Sequence, residues 1–271
     1  DFPKQVVYFN NVFKLLSTYI LPFKQLCVDS KIQYRFNNTV THTGRLSSSN
    51  PNFQNIPTAH GLKYNIRDLI VPPKGHKLLV FDYDQFEYRL HAHFSQDPVL
   101  LEMLNSKRHF HTETAQRLFG STTSDNLRLA KGVNYGIPYG EGYKKLASEL
   151  DISLNEAKKL ILRHEITFPV MHQWRRRMEV GAKQNGHIQT ICNRKIVVGK
   201  QEGYKAIDYI AQGSAADIMK LCQNKIYALP RQEFPFIQRI QVHDELVCTA
   251  PESVVEDVAN QIESCLTTSV K

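Results

Sequence analysis

Apolar residues at helical spacing mark the beginning of the chain. Between residues 7 and 27, Phe13, Leu16 and Ile20 recur at intervals of three to four, which predicts a helix broken by Pro22. The following polar stretch, residues 38–57, is rich in Asn, Ser and Thr, whose side chains favour turns by bonding to nearby backbone groups. We therefore expect a loop there that contributes little to the core.

A short apolar run, HKLLVFDYD at residues 76–84, has the length and composition of a buried strand. It would deliver Asp82 at its exposed end, and a helix from about 85 to 95 would follow. A second strand signal lies near the C-terminus, where FIQRIQV and LVCTA flank His-Asp-Glu at residues 243–245. This pattern predicts a hairpin with acidic residues at its turn.

The region between these strand signals, about 98–190, is mainly helical in pattern. Within it, Ser153 and Glu156 match a capping box ahead of an apolar run, because Ser can accept from the N3 amide while Glu bonds back. The basic run at residues 175–177 is interpreted as a solvated helix face rather than a phosphate site. Residues 211–228 space Ala, Ile and Cys at helical intervals, which predicts a further helix.

Composition and charge narrow the class of protein. The 271 residues are 42% hydrophobic, enough for a sizeable core in one or two domains, and the net charge of +8 favours a polyanionic partner. Five scattered cysteines without a CxxC pair indicate neither a zinc site nor a disulfide framework, so a reducing compartment is expected. No membrane partner is expected, because no apolar run approaches the roughly 20 residues of a membrane span. The first residue is Asp rather than Met, which suggests a fragment or a processed product.

Two cations and two aromatic rings recur along LRLAKGVNYGIPYG, residues 127–140. Arg128, Lys131, Tyr135 and Tyr139 fall within one face of a helix. Cations hold phosphates and rings stack on bases or sugars, so this face suits a nucleotide. The alternative is an ordinary amphipathic helix with buried tyrosines and snorkelling basic side chains.

Two carboxylates follow the two strand-like runs. Asp82 and Asp244 are far apart in sequence, yet both could meet at one edge of a sheet. A pair of carboxylates there can hold divalent ions for phosphoryl transfer, and Mg²⁺ is the expected ion because it prefers oxygen ligands. The alternative is that each aspartate only caps a turn.

Five segments in this order resemble the polymerase portion of family A DNA polymerases, the bacterial DNA polymerase I type. They are TGRLSSSNPNFQNIP, DYDQFEYRLHAHFS, RLAKGVNYGIPYG, AQGSAAD and QVHDE. Single motifs of this size carry false-positive risk, but five in the family's order across about 230 residues are specific. The resemblance implies an α+β fold, with an antiparallel palm sheet and an inserted, mainly helical fingers subdomain.

The resemblance also implies boundaries: a thumb remnant or connecting helix at 1–27, palm at 28–100, fingers at 101–204 and the second palm segment at 205–271. It implies template-directed addition of deoxynucleoside triphosphates to a primer 3′ end by a monomer that uses two Mg²⁺ ions, for which Mn²⁺ can substitute. The expected place is inside the cell with DNA, in bacterial cytoplasm, a virus-infected cell or an organelle. The chain is expected to be a fragment or reduced form of a larger enzyme.

Site residues carry over position by position. The resemblance implies a metal site formed by Asp82, Asp244 and the backbone carbonyl of Tyr83. The catalytic residues would be Asp82, Asp244, Glu245 and Lys131. The nucleotide contacts would be Arg67, Gln85, Glu87, His111, Arg128, Lys131, Tyr135 and Tyr139, with Glu87 excluding a ribose 2′-hydroxyl. The primer-template contacts would be Arg45, Gln54, Asn55, Gln212 and His243, donating to acceptors shared by all base pairs in the minor groove.

Several positions depart from the family pattern. Leu127 stands where an arginine is usual, and Tyr204 and Asp208 stand where an arginine and an asparagine are usual. These departures raise the alternative of a catalytically weak or silent primer-template-binding module. A two-metal nuclease is a further alternative, although the 127–140 segment has no use in that reaction.

Overall fold

The computed structural model describes residues 2–57, 65–106 and 108–268, and it alternates helices with short antiparallel strands. In chain order the helices are α1 (Phe2–Leu15), α2 (Leu21–Leu26), α3 (Phe86–Ser95), α4 (Pro98–Asn105), α5 (Phe110–Phe119), α6 (Ser124–Gly136), α7 (Tyr143–Leu150), α8 (Leu154–Thr167), α9 (Pro169–Asn185), α10 (Ala206–Tyr227) and α11 (Val255–Thr268). The strands are β1 (Cys27–Val28), β2 (Lys31–Ile32), β3 (Arg35–Asn37), β4 (Ser47–Ser49), β5 (His76–Asp82), β6 (His187–Gln189), β7 (Lys195–Val197), β8 (Ile237–Val242) and β9 (Glu245–Pro251).

The strands next to the acidic residues Asp82, Asp244 and Glu245 belong to one three-stranded sheet. Its order is β5-β9-β8, with both pairs antiparallel. The strands predicted from the two apolar runs therefore pair with each other, and the α+β class with an antiparallel sheet is confirmed. The prediction that the first of them is a buried strand was wrong, because β5 lies at the edge of the sheet and none of its residues is buried. Three two-stranded ladders, β1-β2, β3-β4 and β6-β7, complete the pairing among the described residues.

The chain divides into two compact units. The first comprises residues 1–83 and 218–271 and includes the three-stranded sheet; the second comprises residues 84–217 and is mainly helical. The boundaries of these units, at 83/84 and 217/218, differ from the predicted boundaries between palm and fingers at 100/101 and 204/205. The division into compact units does not identify palm or fingers, so the predicted boundaries stay a prediction.

The polar stretch at residues 38–57 is more structured than its composition predicts. It supplies strand β4, and its Phe53 and Ile56 are 7% and 5% exposed, in the core of the first unit. Phe53 stacks on Phe23 with ring centroids 5.2 Å apart. The expectation of a loop outside the core was wrong, because two apolar residues in a polar context are enough to anchor the segment.

The N-terminal helix also differs from its prediction. Pro22 does not break it: a π-helical turn at Leu16–Ile20 joins α1 to α2, and Pro22 lies in the first turn of α2. Proline is accommodated there because the preceding π-helical turn departs from regular α-helical hydrogen bonding. No residue of α1 is buried.

The second unit has its own core, to which α3 to α9 contribute. Leu100, Met103, Val133, Phe168 and Met171 are all at most 1% exposed within it. The predicted capping box at the start of α8 is confirmed, since the Ser153 Oγ accepts from the Glu156 amide and the Glu156 carboxylate accepts from the Ser153 amide. This cap could be predicted from the sequence because both of its hydrogen-bonding residues lie within one short segment.

The basic run on α9 is only partly a solvated face. Arg176 and Arg177 are exposed, as expected, whereas Arg175 is half-buried and burial lowers its pKa.

Over the three described ranges, no helix is both long and apolar enough to cross a bilayer. The five cysteines are all free thiols.

Candidate active site

The hairpin between β8 and β9 brings three carboxylates to one end of the sheet. Its turn consists of His243 and Asp244, and Val242 pairs with Glu245 on either side. Glu245 also pairs with Asp82 on β5. Directly opposed residues of an antiparallel pair have Cα atoms about 5 Å apart, so Asp82 lies beside Glu245. Asp244 is the residue before Glu245 and therefore lies near the same end of β5.

The electrostatics of this end reflect the cluster of acids. Burial raises the pKa of Glu245, the neighbouring Arg67 opposes that rise, and the charge of Asp82 adds to it. Arg67 is fixed because its Nη2 donates to the carbonyl of Ile56 at 3.1 Å. Asp82 itself is exposed and Asp244 is half-buried, so both remain accessible to a ligand from solution.

The donor set at this end is made of oxygen atoms. Within the described ranges, no group of three or more His, Cys, Asp or Glu side chains is arranged to hold a metal ion. Mg²⁺ does not require such a group, because it is often bound by one or two carboxylates together with water and substrate phosphates. The two aspartates therefore fit magnesium, and their role as ligands stays a prediction.

Tyr83 follows Asp82 and is anchored by its side chain. Its hydroxyl donates to the carbonyl of Leu266 on α11 and lies 3.4 Å from the Cys222 Sγ, both within the first unit. Burial raises the pKa of Tyr83. Because the phenol is held inside the unit, the backbone at the end of β5 is fixed in place.

The predicted primer-template residues have unequal exposure. Gln54 is buried and its Nε2 donates to the carbonyl of Gln241 on β8 at 3.0 Å. It therefore braces the sheet edge, whereas Asn55 and His243 are exposed. His243 has φ of +55°, a conformation found in tight hairpin turns. The side chain of Gln54 is thus oriented by its bond to β8 and is not freely exposed to a ligand.

In the second unit, α6 presents a basic and aromatic face to solvent. Arg128 and Lys131 are exposed, and Tyr135 is 61% exposed. The alternative with buried tyrosines is therefore wrong. Arg128 is already engaged, since its guanidinium donates to Asp125 at 2.7 Å and to the carbonyl of Leu150 at 2.6 Å.

The helix ends earlier than the sequence pattern predicts. It stops at Gly136, so Tyr139 lies in the turn that follows and not on the helix face. The cause is Pro138, which has no N–H to donate to the carbonyl of Asn134 four residues before. The hydroxyl of Tyr88 on α3 donates to that carbonyl instead, at 2.7 Å.

Removing this hydroxyl is expected to be costly, because it leaves a buried carbonyl without a partner. Tyr88→Phe should lower the free energy of unfolding by about 1–3 kcal/mol in urea denaturation. Adding Pro138→Ala supplies a backbone N–H to the same carbonyl, so the double variant should recover part of the loss. Equal losses in the single and double variants would contradict this account of the helix end.

His111 lies behind the exposed face. It is buried, and the Nδ2 of Asn134 lies 3.0 Å from its Nδ1. The amide also donates to the hydroxyl of Thr114, which fixes the orientation of Asn134. Burial, with the positive charge of Lys131 nearby, lowers the pKa of His111. A neutral ring that accepts at Nδ1 carries its proton on Nε2.

Glu87 and Tyr139 are joined by a hydrogen bond. The Tyr139 hydroxyl donates to the Glu87 Oε2 at 3.0 Å, and this contact fixes the carboxylate above the start of α3. Gln85 precedes α3 with φ of +51° and gives it no side-chain cap. Lys131 has no hydrogen bond or ion pair with any other described side chain, which leaves its ammonium group available.

Sequence reasoning missed two residues that shape this region. Tyr88 and Asn134 were not singled out, although Pro138, four residues after Asn134, signals a carbonyl in need of a donor. Asn134 then serves twice, through its carbonyl and through its side-chain amide. Both interactions join segments distant in sequence, so only the folded unit reveals them.

Similarity to known proteins agrees with the motifs. A model of DNA polymerase family A matches residues 1–271. The thermostable DNA polymerase I of Thermus aquaticus is 36% identical over 94% of this chain and 33% of its own length. DNA polymerase I of Helicobacter pylori is also 36% identical, over 98% of this chain and 31% of its own. The chain thus spans about a third of the length of these curated relatives.

A solved structure has a closely similar fold. The POL domain of Pol1 from M. smegmatis, in complex with DNA primer-template and dNTP, superposes with a TM-score of 0.89 and 28% sequence identity. The match covers 97% of this chain and 49% of that one. With the family match over every residue, these similarities show that this chain belongs to DNA polymerase family A.

Proposed function

We propose that the protein is a template-directed DNA polymerase that adds deoxynucleoside triphosphates to a primer 3′ end. The observation that carries the proposal is the pairing of Asp82 with Glu245, which places Asp82 and the Asp244 turn at the same sheet end. Phosphoryl transfer of this type needs no protein nucleophile, so carboxylates with a phosphate-binding face suffice. The family match and the similar polymerase domain support the same reaction.

Magnesium fits the first unit. Asp82 and Asp244, with the backbone carbonyl of Tyr83, would hold two Mg²⁺ ions, and Mn²⁺ offers a similar preference for oxygen. When bound, such ions activate the attacking primer oxygen and neutralise charge on the phosphates. Glu245, whose pKa is raised by burial, would support the site as a neighbour and not as a direct ligand.

The second unit supplies groups for the triphosphate. Lys131 would pair with phosphate oxygens, and His111, whose pKa is lowered by burial, would donate from Nε2 to the departing pyrophosphate. Tyr135, exposed one helical turn after Lys131, would cover the sugar and base. Arg67 and Arg128 are further candidates, although each guanidinium already donates to protein groups.

Discrimination against ribonucleotides would come from Glu87. The hydrogen bond from Tyr139 holds its carboxylate in one place. A fixed side chain excludes a 2′-hydroxyl better than a mobile one, because the hydroxyl then meets both a steric clash and lost solvation. Deoxynucleotide preference follows from this arrangement.

DNA would be recognised mainly through its backbone, as the charge of +8 suggests. Arg45, Asn55, Gln212 and His243 would test pairing geometry in the minor groove, where acceptors are shared by all base pairs. Gln54 would act there chiefly by bracing the β8 edge. The protein would act as a monomer wherever DNA is found inside the cell.

The test is primer extension by the purified protein. A labelled primer on a longer template should lengthen by template-coded nucleotides with Mg²⁺, and extension should stop on addition of EDTA. A binding module without activity would retard the primer-template in a gel but leave the primer unchanged. A nuclease would shorten the primer, and either of these results contradicts the proposal.

A further inference from the structure

Asn134 on α6 places a buried amide between two side chains of α5. Its Nδ2 lies 3.0 Å from the His111 Nδ1 and 3.0 Å from the Thr114 Oγ1. All three side chains are buried, and all three belong to the second unit. The NH₂ group of an asparagine amide carries two N–H donors and accepts nothing. One amide can therefore donate to both neighbours at once.

The hydroxyl of Thr114 decides which way round this amide is held. Thr114 donates its only O–H to the carbonyl of Phe110, one turn earlier on α5, at 2.9 Å. Its oxygen then accepts from Asn134, so the NH₂ group of the amide faces it. The second N–H of that group is left for His111. The Asn134 Oδ1 is buried and finds no hydrogen-bond partner among the described residues, so the amide is oriented by its donors.

The ring nitrogen of His111 that faces Asn134 carries no proton, because an NH₂ group opposite it can only donate. An imidazole that accepts at Nδ1 carries its proton on Nε2. Within the described part of the chain, Nε2 makes no hydrogen bond and is not sealed from solvent. The ring lies 5.5 Å from that of Tyr135, which is 61% exposed. The donor at Nε2 is therefore available to a ligand.

We propose that Asn134 is a positioning residue, which fixes His111 in the Nε2-protonated tautomer and so keeps an N–H donor for the departing pyrophosphate. This inference rests on the proposed function and explains how one of its contacts is prepared. The other tautomer would present a lone pair at Nε2 to phosphate oxygens, and two acceptors repel. Because the pyrophosphate gains charge as it leaves, loss of the donor lowers kcat more than it raises KM.

The charges that face His111 agree with an uncharged ring. Burial lowers the pKa of His111, and the positive charges of His109 and Lys131 add to that effect. Asp84 acts in the opposite direction. Since the net shift is downward, the Nε2 donor of the neutral ring is present at every pH above the ordinary histidine pKa of about 6.5. Raising the pH above this value should not remove the donor from the unmodified protein.

The tautomer can be measured in the protein without DNA or nucleotide. Long-range ¹H–¹⁵N correlation spectra of protein labelled with ¹⁵N-histidine distinguish a protonated ring nitrogen from an unprotonated one. His111→Gln identifies the signals of this residue among the eleven histidines. We expect the proton on Nε2 in the unmodified protein and in Thr114→Ser, which keeps the hydroxyl. Asn134→Asp should place a proton on Nδ1, because a carboxylate accepts and does not donate.

Primer extension as a function of pH provides the second measurement. In Asn134→Asp, the imidazolium form of His111 still donates from Nε2, whereas the neutral form protonated on Nδ1 does not. The carboxylate also raises the pKa of His111, so kcat should fall by about tenfold to a hundredfold as the pH rises through that pKa. The KM for the nucleotide should change by less than about threefold.

The matched control is Tyr88→Phe. It removes only the hydrogen bond to the backbone carbonyl of Asn134, so the tautomer and the shape of the pH profile should be retained. Thermal unfolding of each variant checks that the fold is kept.

A proton on Nδ1 in the unmodified protein would overturn the assignment, and so would a loss of kcat in Asn134→Asp that is equal at every pH. Absence of extension by the unmodified protein, with the proton found on Nε2, would overturn the proposed function alone. If Asn134→Asp does not fold, Thr114→Val replaces it. This variant frees the amide to rotate, so both tautomers are expected, and a single unchanged tautomer would contradict the role of the amide.

Discussion

Asp82→Asn and Asp244→Asn should each lower the rate of primer extension by more than about a thousandfold, equivalent to roughly 4 kcal/mol of activation free energy. Asparagine keeps the size and shape of each side chain but removes the charge that a divalent ion requires. The affinity for primer-template should stay within a few-fold, since these carboxylates carry no attraction for DNA. Single-nucleotide extension and a gel-shift titration measure the two quantities separately.

The matched control is Asp257→Asn. This aspartate is exposed in the first turn of α11, in the same unit as the two site residues. The Asp257→Asn variant should extend primers at nearly the rate of the unmodified protein. Extension within tenfold of that rate by either site variant would remove the metal assignment, and so would an equal loss in the control.

Replacing Asp97 should produce the largest loss of stability. This residue is fully buried, and its Oδ1 accepts from the amides of Val99 and Leu100 in the first turn of α4. Its Oδ2 accepts from the amides of Val170 and Met171 at the beginning of α9. A single carboxylate thus caps two helices that begin at Pro98 and Pro169, and the negative charge suits both N-termini.

Asp97→Ala leaves these four amides without their acceptor, so the free energy of unfolding should fall by about 3–5 kcal/mol. Asp97→Asn keeps one acceptor oxygen but turns an NH₂ group towards one pair of amides, and it should lose about half as much. Urea denaturation followed by circular dichroism gives both values.

Ser153→Ala provides the comparison for a cap that serves one helix. Its hydroxyl accepts only from the Glu156 amide, at an exposed site, and its loss should cost about 1 kcal/mol. A cost for Asp97→Ala no greater than that of Ser153→Ala would show that the two-helix cap is not a major source of stability in the second unit.

The sequence predicted those features in which local pattern and structure agree. The apolar run at 76–84 forms β5 over its first seven residues, although not as the buried strand predicted. The helical spacing predicted at 211–228 lies in α10 up to Tyr227, and Ser153 and Glu156 form their capping box. Prediction from the sequence failed where the local structure depends on contacts with residues distant in the chain. The end of α6 depends on Pro138 and on a hydroxyl from α3, and the polar stretch at 38–57 is ordered by contacts of Phe53 and Ile56 in a core assembled from separate segments.

The candidate site shows the same division. Residue types and motif order identify Asp82, Asp244, Lys131 and Tyr135 as matches to the motifs of family A. Sequence could not reveal that Gln54 is committed to a buried bond with Gln241, or that Arg128 is held by Asp125 and Leu150. The exposure of a side chain and its hydrogen bonds to other protein groups depend on which residues surround it in the folded chain.

By itself, the sequence determined the acidic residues at the ends of two strands and the cations and Tyr135 ring of α6, because these follow from residue type and from periodicities of two and 3.6. The order of five motifs resembled one family, and that resemblance indicated the family. Only the tertiary structure decided that β5 pairs with β9 so that Asp82 lies beside Glu245, that His111 is buried beside Asn134, and that Tyr204 packs on Gly140. The physical reason is that pairing register, burial and close approach are fixed by long-range contacts, which no local pattern encodes.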